Sequence, residues 1–322
     1  MSYTFFPGCS LDGTAKDFHS STLAVAAKLG LELPELEDWI CCGSTAAHSS
    51  DPLLADALPA QNLRAAHGRT VAVACAACYS RLKMANHHIS GDVGTRIKVA
   101  QVIGGDYDGQ TPVRHLLEIL GRDVGSGVAA AIRRPLTGLR VACYYGCLLS
   151  RPPEVTQFDD AENPTLMDQL LETAGATVVD WPHKTECCGA SFSIADSSIV
   201  LELSDKILSM AQAAEVDCIA TACPLCQLNL DMRQKDIEAK YGRRYDLPIF
   251  YFTQLLGLAM GCSASELSLG SLVVEPQELL ESIGFSGAEA QSKVEAYSKA
   301  EGRSEAGARS KVEARSKVEA RP

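Results

Sequence analysis

Val71-Ala-Val-Ala-Cys75-Ala-Ala-Cys78-Tyr-Ser-Arg-Leu-Lys83 and Cys218-Ile-Ala-Thr-Ala-Cys223-Pro-Leu-Cys226-Gln-Leu-Asn-Leu230 are two versions of one pattern. Each begins as a short apolar run, which predicts a buried strand, and ends in a CxxC that opens a helical stretch. The likeness spreads outward from there. Cys9 and the pair Cys41-Cys42 precede the first CxxC, as Cys147 and the pair Cys187-Cys188 precede the second. Glycine follows both pairs, at Gly43 and Gly189, and precedes both single cysteines, at Gly8 and Gly146. Trp39 and Trp181 stand just upstream of the pairs, and Pro112-Val113…Leu120-Gly121 matches Pro248-Ile249…Leu256-Gly257 at equal internal spacing. So many coincidences make internal duplication the reading of this chain.

Strands alternating with helices predict an α/β fold in each half. The expected divisions are a first domain over 1–125, a linker over 126–138, a second domain over 139–265 and an extension over 266–322. In that extension Ser292-Lys-Val-Glu-Ala296 recurs at Ser310 to Ala314 and Ser316 to Ala320. With almost nothing apolar to bury, the chain is expected to be disordered from about residue 286.

Composition narrows the function. The chain has 322 residues, 46% of them hydrophobic, and a formal charge of −11. No basic patch interleaved with aromatics is present, so a nucleic-acid partner is not expected. The start Met1-Ser-Tyr-Thr-Phe-Phe-Pro-Gly-Cys9 is not a secretory signal, and the longest apolar stretch, Ile249 to Gly261, is too short to span a bilayer. Thirteen cysteines in such a chain point to reduced thiols and metal in the cytoplasm rather than to a disulfide framework. No glycine-rich nucleotide loop or hydrolase motif occurs.

Ten of the thirteen cysteines fall into two sets of five: Cys9, Cys41, Cys42, Cys75 and Cys78, then Cys147, Cys187, Cys188, Cys223 and Cys226. Five thiols exceed what a tetrahedral zinc site uses and suit a larger iron–sulfur centre. A CxxC at a helix start aims two sulfurs at one centre, with free N–H groups and the positive dipole end beside them. Adjacent cysteines can both ligate only where the backbone wraps round a bulky object, and the following glycine permits that turn. A pair of zinc sites with one spare thiol in each half is the competing reading. Cys143, Cys218 and Cys262 lack counterparts and read as small buried hydrophobes. His183 and Lys184, ahead of the second pair, and His48, after the first, are candidate proton donors or anion-binding groups, against the plainer reading as loop residues.

These motifs resemble the CCG (cysteine-rich) domain family, and two such domains in tandem are similar to the B subunit of cytosolic heterodisulfide reductases. The resemblance covers residues 1 to about 265. It implies two CCG domains, each with a small sheet flanked by helices. It also implies that each set of five cysteines binds a noncubane [4Fe–4S] cluster, so that the clusters themselves are the catalyst. The activity it implies is reduction of a disulfide of the coenzyme M–coenzyme B type by one-electron steps. Its implied partners are a ferredoxin-type subunit with a flavin-containing subunit behind it, and a hydrogenase or formate dehydrogenase as further members of such complexes. The alternative is a non-catalytic electron-transfer or anchoring subunit of a succinate, glycolate, lactate or glycerol-3-phosphate dehydrogenase complex. Amphipathic anchoring helices, which that alternative would favour, are not obvious in the sequence.

Overall fold

The computed structural model describes residues 2–44 and 47–285. The repetitive segment expected to be disordered lies outside the described residues.

Among the described residues seven short strands form two separate parallel sheets. In the first half β1 (Tyr3–Phe6), β2 (Thr70–Val73) and β3 (Val113–His115) lie in the order β1-β2-β3. In the second half the strands are β4 (Arg140–Tyr144), β5 (Thr177–Val178), β6 (Cys218–Thr221) and β7 (Ile249–Tyr251), in the order β5-β4-β6-β7. Parallel sheets are covered by helices on both faces, so their strands read as continuous apolar runs, and β6 is buried at every position. Each half is thus an α/β unit with a small sheet flanked by helices, as expected. One asymmetry is visible: the first half has only a single bridge, Phe5 to Glu35, where the second half has β5. The segment 126–138 carries a short helix, Ser126–Ala131, whose Val128 is fully buried.

Strand register fixes where a site can form. Phe6 pairs with Val73, and Val73 with His115, so the three strands of the first half end level. Tyr144, Thr221 and Tyr251 do the same in the second. In parallel sheets these carboxyl ends lie on one edge, where ligands bind.

The halves are held together by aromatic contacts that repeat the duplication. Phe18, on the helix Lys16–Lys28, stacks on Tyr251 at the end of β7, with ring centroids 4.1 Å apart. Phe158 of the second half packs against His115 at the end of β3, at 6.0 Å. Beside the first contact Ser21 and Thr253 share a hydrogen bond of 2.7 Å; beside the second, the Tyr79 hydroxyl donates to the Thr156 carbonyl at 2.9 Å. Each half therefore reaches across to the last strand of the other.

One residue at this junction works against stability. Asp17 is buried in the first turn of its helix, where a dipole would normally favour its charge. Burial outweighs that and, with the nearby Asp231 charge adding, pushes the Asp17 carboxyl up to about 6. A carboxyl whose folded pKa lies above its unfolded value holds its proton longer when folded, so stability falls as pH rises from about 3.8 to about 6. A shift of about two units corresponds to roughly 3 kcal/mol. Asp17→Asn is expected to raise the melting temperature at pH 7 and to leave it unchanged near pH 3, where the wild-type carboxyl is already neutral. An equal effect at both pH values in thermal unfolding would refute this account.

Candidate metal centre

All four loops that carry single cysteines or CxxC motifs leave the level strand ends. β1 runs into Gly8-Cys9, β2 into Cys75, β4 into Gly146-Cys147, and β6 into Cys223. Cys75 and Cys223 hold extended backbone just before the helices Ala76–Gly91 and Pro224–Met232, with Pro224 pre-set at the second helix's start. Their sulfurs receive backbone N–H bonds from that first turn, from Cys78 in one half and from Cys226 and Leu225 in the other.

The ten thiols pair in the same way in both halves. The single cysteine meets the first of the adjacent pair: Cys9 lies 3.6 Å from Cys41, and Cys147 contacts Cys187. The second of the pair meets the second of the CxxC, Cys42 to Cys78 at 3.3 Å and Cys188 to Cys226 at 3.6 Å. Both adjacent pairs are turned by a glycine of positive φ, Gly43 at +72° and Gly189 at +79°. Those glycine N–H groups donate back to Cys41 and Cys187 at 3.4 and 3.3 Å. Across the molecule Cys75 and Cys223 contact each other, so the two sets form one continuous seam.

Shared protons follow from this crowding. Bonds from Cys41 and Cys78 stabilise the Cys42 thiolate and pull it down to about 4 against its burial, while Cys41 is pushed up. In the second half Cys147 holds Cys187 down to about 6. Thiolates of this kind are metal ligands, and loading them with metal releases protons.

The backbone and the donor set both fit a metal centre. A Cβ at Gly8 would lie 3.0 Å from the Cys78 sulfur, and one at Gly146 would lie 3.1 Å from that of Cys226. Only glycine at φ +69° lets the chain pass so close, and it does so at the same place in both halves. All thirteen cysteines are free, and the donor set is purely sulfur. Among the described residues no three His, Cys, Asp or Glu groups converge on a single ion position. Paired sulfurs strung along a seam suit a polynuclear centre better than one tetrahedral ion.

The unpaired cysteines are placed as expected for small apolar groups: Cys143 within β4, Cys218 within β6, and Cys262 are all buried. The candidate polar residues fare differently. His48 is exposed on the short helix Ala47–Ser50. His183 stacks on Trp181, and its Nδ1 is buried without a hydrogen-bond partner. Lys184 lies in the turn ahead of the second pair, and its ammonium is buried against Asp168 at 2.7 Å, with Asp180 at 3.4 Å. Its carbonyl accepts from Tyr145 N and Gly146 N at 2.8 and 3.1 Å, which ties the loop before Cys187 to the turn before Cys147.

Sequence reasoning missed several groups around the sulfurs. The Tyr145 hydroxyl donates to Asp168, while its ring lines a cavity of about 70 Å³ with Ala76, Ala77, Cys147, Cys187 and Leu225. That cavity takes walls from both halves. His115 is fully buried, and its Nδ1 accepts from Leu117 N, so the proton sits on Nε2 and is donated to the Ala74 carbonyl at 2.8 Å. A further backbone contact to Ala222 places this ring between the residues that precede Cys75 and Cys223. Burial pulls His115 down to about 4, so it stays neutral at physiological pH. Asn229 donates to the Cys188 carbonyl at 3.2 Å and reaches its sulfur at 3.6 Å. A signal for Asn229 was present, since it follows Cys226 by one helical turn; for His115 and Tyr145 none was.

Two tandem α/β units with thiol-lined strand ends define a duplicated cysteine-rich protein. The cysteine-rich domain (CCG) model matches residues 3–83 and 141–231, and the chain belongs to that family. It is 32% identical over 280 residues to the 8-methylmenaquinol:fumarate reductase membrane anchor subunit of Wolinella succinogenes, covering 86% of this chain and 98% of that one. It is 31% identical over 289 residues to the B subunit of the ferredoxin/F(420)H(2)-dependent CoB-CoM heterodisulfide reductase of Methanosarcina acetivorans, covering 87% and 96%. A crystal structure of a hypothetical protein from Helicobacter pylori superposes with a TM-score of 0.69 at 12% identity. That match covers 85% of this chain but only 52% of the other, and it shows the fold alone.

Proposed function

We propose that this chain is the disulfide-reducing subunit of a heterodisulfide reductase-type complex. In this reading each set of five cysteines holds a noncubane [4Fe–4S] cluster. The observation that carries it is the meeting of the two sets, Cys75 against Cys223, beside a cavity walled by both halves. The resemblance to the B subunits of heterodisulfide reductases supports it. When bound, such clusters supply single electrons and a Lewis-acidic iron. The chain's own residues shape the place where a disulfide would lie. Ala76, Ala77, Leu225 and the Tyr145 ring give it apolar walls, while the helix starts hold Cys75 and Cys223 level. The balance is one disulfide, two electrons and two protons to two thiols, with one electron drawn through each half. The electrons come from a ferredoxin-type subunit fed by a flavin-containing subunit, in the cytoplasm, with a hydrogenase or formate dehydrogenase upstream. The coenzyme M–coenzyme B disulfide or an analogue is the substrate. Reconstituted protein with about eight irons per chain should oxidise reduced viologen on addition of that disulfide. Full iron content with no disulfide-dependent oxidation would reject the reading.

The anchoring alternative has its own support in the likeness to the Wolinella anchor protein and in one surface feature. Among the described residues no helix is long and apolar enough to cross a membrane. However, the helix Val93–Ile103 exposes Val93 (73%), Ile97 (54%) and Val102 (55%), with Arg96 and Lys98 alongside. Apolar and basic residues together on an exposed helix are what an interfacial anchor uses. Sedimentation with vesicles containing anionic lipid, abolished by Val93→Ser/Ile97→Ser, together with co-purification of a flavoprotein dehydrogenase, would favour it.

A further inference from the structure

The duplication provides an internal control. A charge present at a position in one half and absent from the equivalent position in the other separates two otherwise matched sites. The third residue beyond the second CxxC cysteine is such a position: Arg81 in the first half, Asn229 in the second. Three residues is nearly one helical turn, so this side chain lies on the cysteine's own face of the helix. The second half shows where that face leads, since the Asn229 amide reaches the carbonyl and sulfur of Cys188. Cys188 in turn contacts Cys226, as Cys42 contacts Cys78. By the same register the guanidinium of Arg81 faces Cys42. Its charge adds to the bonds from Cys41 and Cys78 that favour the Cys42 thiolate.

Arg81 is half-buried and forms no ion pair among the described residues. The cation nearest in sequence to the second set, Lys184, is neutralised by Asp168 and Asp180. The second half therefore presents a neutral amide dipole where the first presents a full positive charge. A dipole's field falls off faster with distance than a charge's, so the cation dominates. Exposure differs at one matched position only: Cys9 is exposed and Cys147 half-buried, while Cys41 and Cys187 are both exposed.

We infer that Arg81 makes the two centres unequal, holding the first-half centre at a higher reduction potential than the second, so that a single electron delivered to this chain rests in the first half. The inference rests on the proposed iron–sulfur reading. Its physical basis is that a reduced cluster carries one more negative charge than an oxidised one, which a nearby cation stabilises. Two electrons meeting one disulfide would then be supplied from unlike sources, a resting electron on one side and a more reducing centre on the other.

The test is a redox titration of the reconstituted full chain, followed by electron paramagnetic resonance. Signals are assigned to each half with Cys42→Ala and Cys188→Ala. Wild type should titrate in two steps, the first-half centre being reduced first. Arg81→Gln should lower only the first-half midpoint, by about tenfold in the reduction equilibrium, or about 59 mV for one electron. Arg81→Lys should restore most of the difference, and Asn229→Arg should raise the second-half midpoint. Because a half-buried charge is still partly screened by salt, the wild-type first-half midpoint should also fall relative to the second as ionic strength rises. That measurement needs no variant, so a failure of Arg81→Gln to fold leaves the inference testable. Coincident midpoints in wild type, or equal shifts of both centres in Arg81→Gln, would overturn it. A chain that takes up no iron would overturn the cluster reading and the inference with it.

Discussion

Cys188→Ala is expected to halve the iron of the reconstituted protein, from about eight to about four atoms per chain, and to abolish disulfide reduction. Cys188 is buried between its neighbour's turn at Gly189 and the Cys226 sulfur, in the middle of the second set. Cys42→Ala should do the same to the first set, where Cys42 occupies the matching place against Cys78. The spectra of the two variants should add up to that of the wild type. Cys218→Ala is the control, because Cys218 is equally buried but lies within β6, away from both sets. It should keep full iron and lose only the packing of one small side chain. Iron content and the spectrum decide the matter. If Cys188→Ala retains all its iron, the assignment of five ligands per half fails. If Cys218→Ala loses as much as Cys188→Ala, the loss reflects folding rather than ligation.

Lys184→Met is expected to lower stability by about 3–5 kcal/mol, because it leaves the buried Asp168 charge without its counter-ion. The side chains of Lys184 and Asp168 are only 5% and 11% exposed. Burial alone would lower the Lys184 pKa, yet the bond to Asp168 and the charges of Asp168 and Asp180 raise it overall. A lysine with a raised folded pKa contributes stability below its unfolded pKa, and that contribution is lost only as pH rises through the folded value. The ion pair therefore stabilises the wild type throughout the neutral range. In Lys184→Met the buried Asp168 carboxylate is left without its counter-ion, and the deficit is read at neutral pH. For a protein of this size the melting temperature should drop on the order of 10 °C. Adding Asp168→Asn should recover much of that, since the asparagine amide keeps a partner for Tyr145 without a charge. A double variant no more stable than Lys184→Met would show that the loss comes from packing of the lysine stem. Because the Lys184 backbone joins the loop of Cys187 to the turn of Cys147, occupancy of the second set should suffer more than that of the first.

How much is legible in the sequence depends on which force fixes each feature. The ten cysteines and the α/β alternation can be read because strands declare themselves as apolar runs, and the duplication repeats all five cysteines in the same order, with the CC and CxxC units intact. The glycines beside the cysteines are legible for a related reason, as only glycine tolerates the positive φ at Gly8, Gly43, Gly146 and Gly189. Lys184 reads in the sequence as a proton donor, an anion-binding group or a plain loop residue, and its ion pair with Asp168, sixteen residues away, is visible only in the structure. His115 gives no signal, since its value comes from reaching Ala74 and Ala222 across the join of two sheets.

What the chain determines by itself is therefore its composition of parts: two repeats, parallel strands, helix-opening CxxC motifs and sulfur-only donors. These follow from residue type and local spacing, which act within a few positions of one another. What only the tertiary structure decides is that the two repeats face each other, with Cys75 touching Cys223 and Phe18 stacked on Tyr251. That arrangement is set by burial of aromatic surface between residues more than a hundred positions apart, and such pairing leaves no periodic trace along the chain.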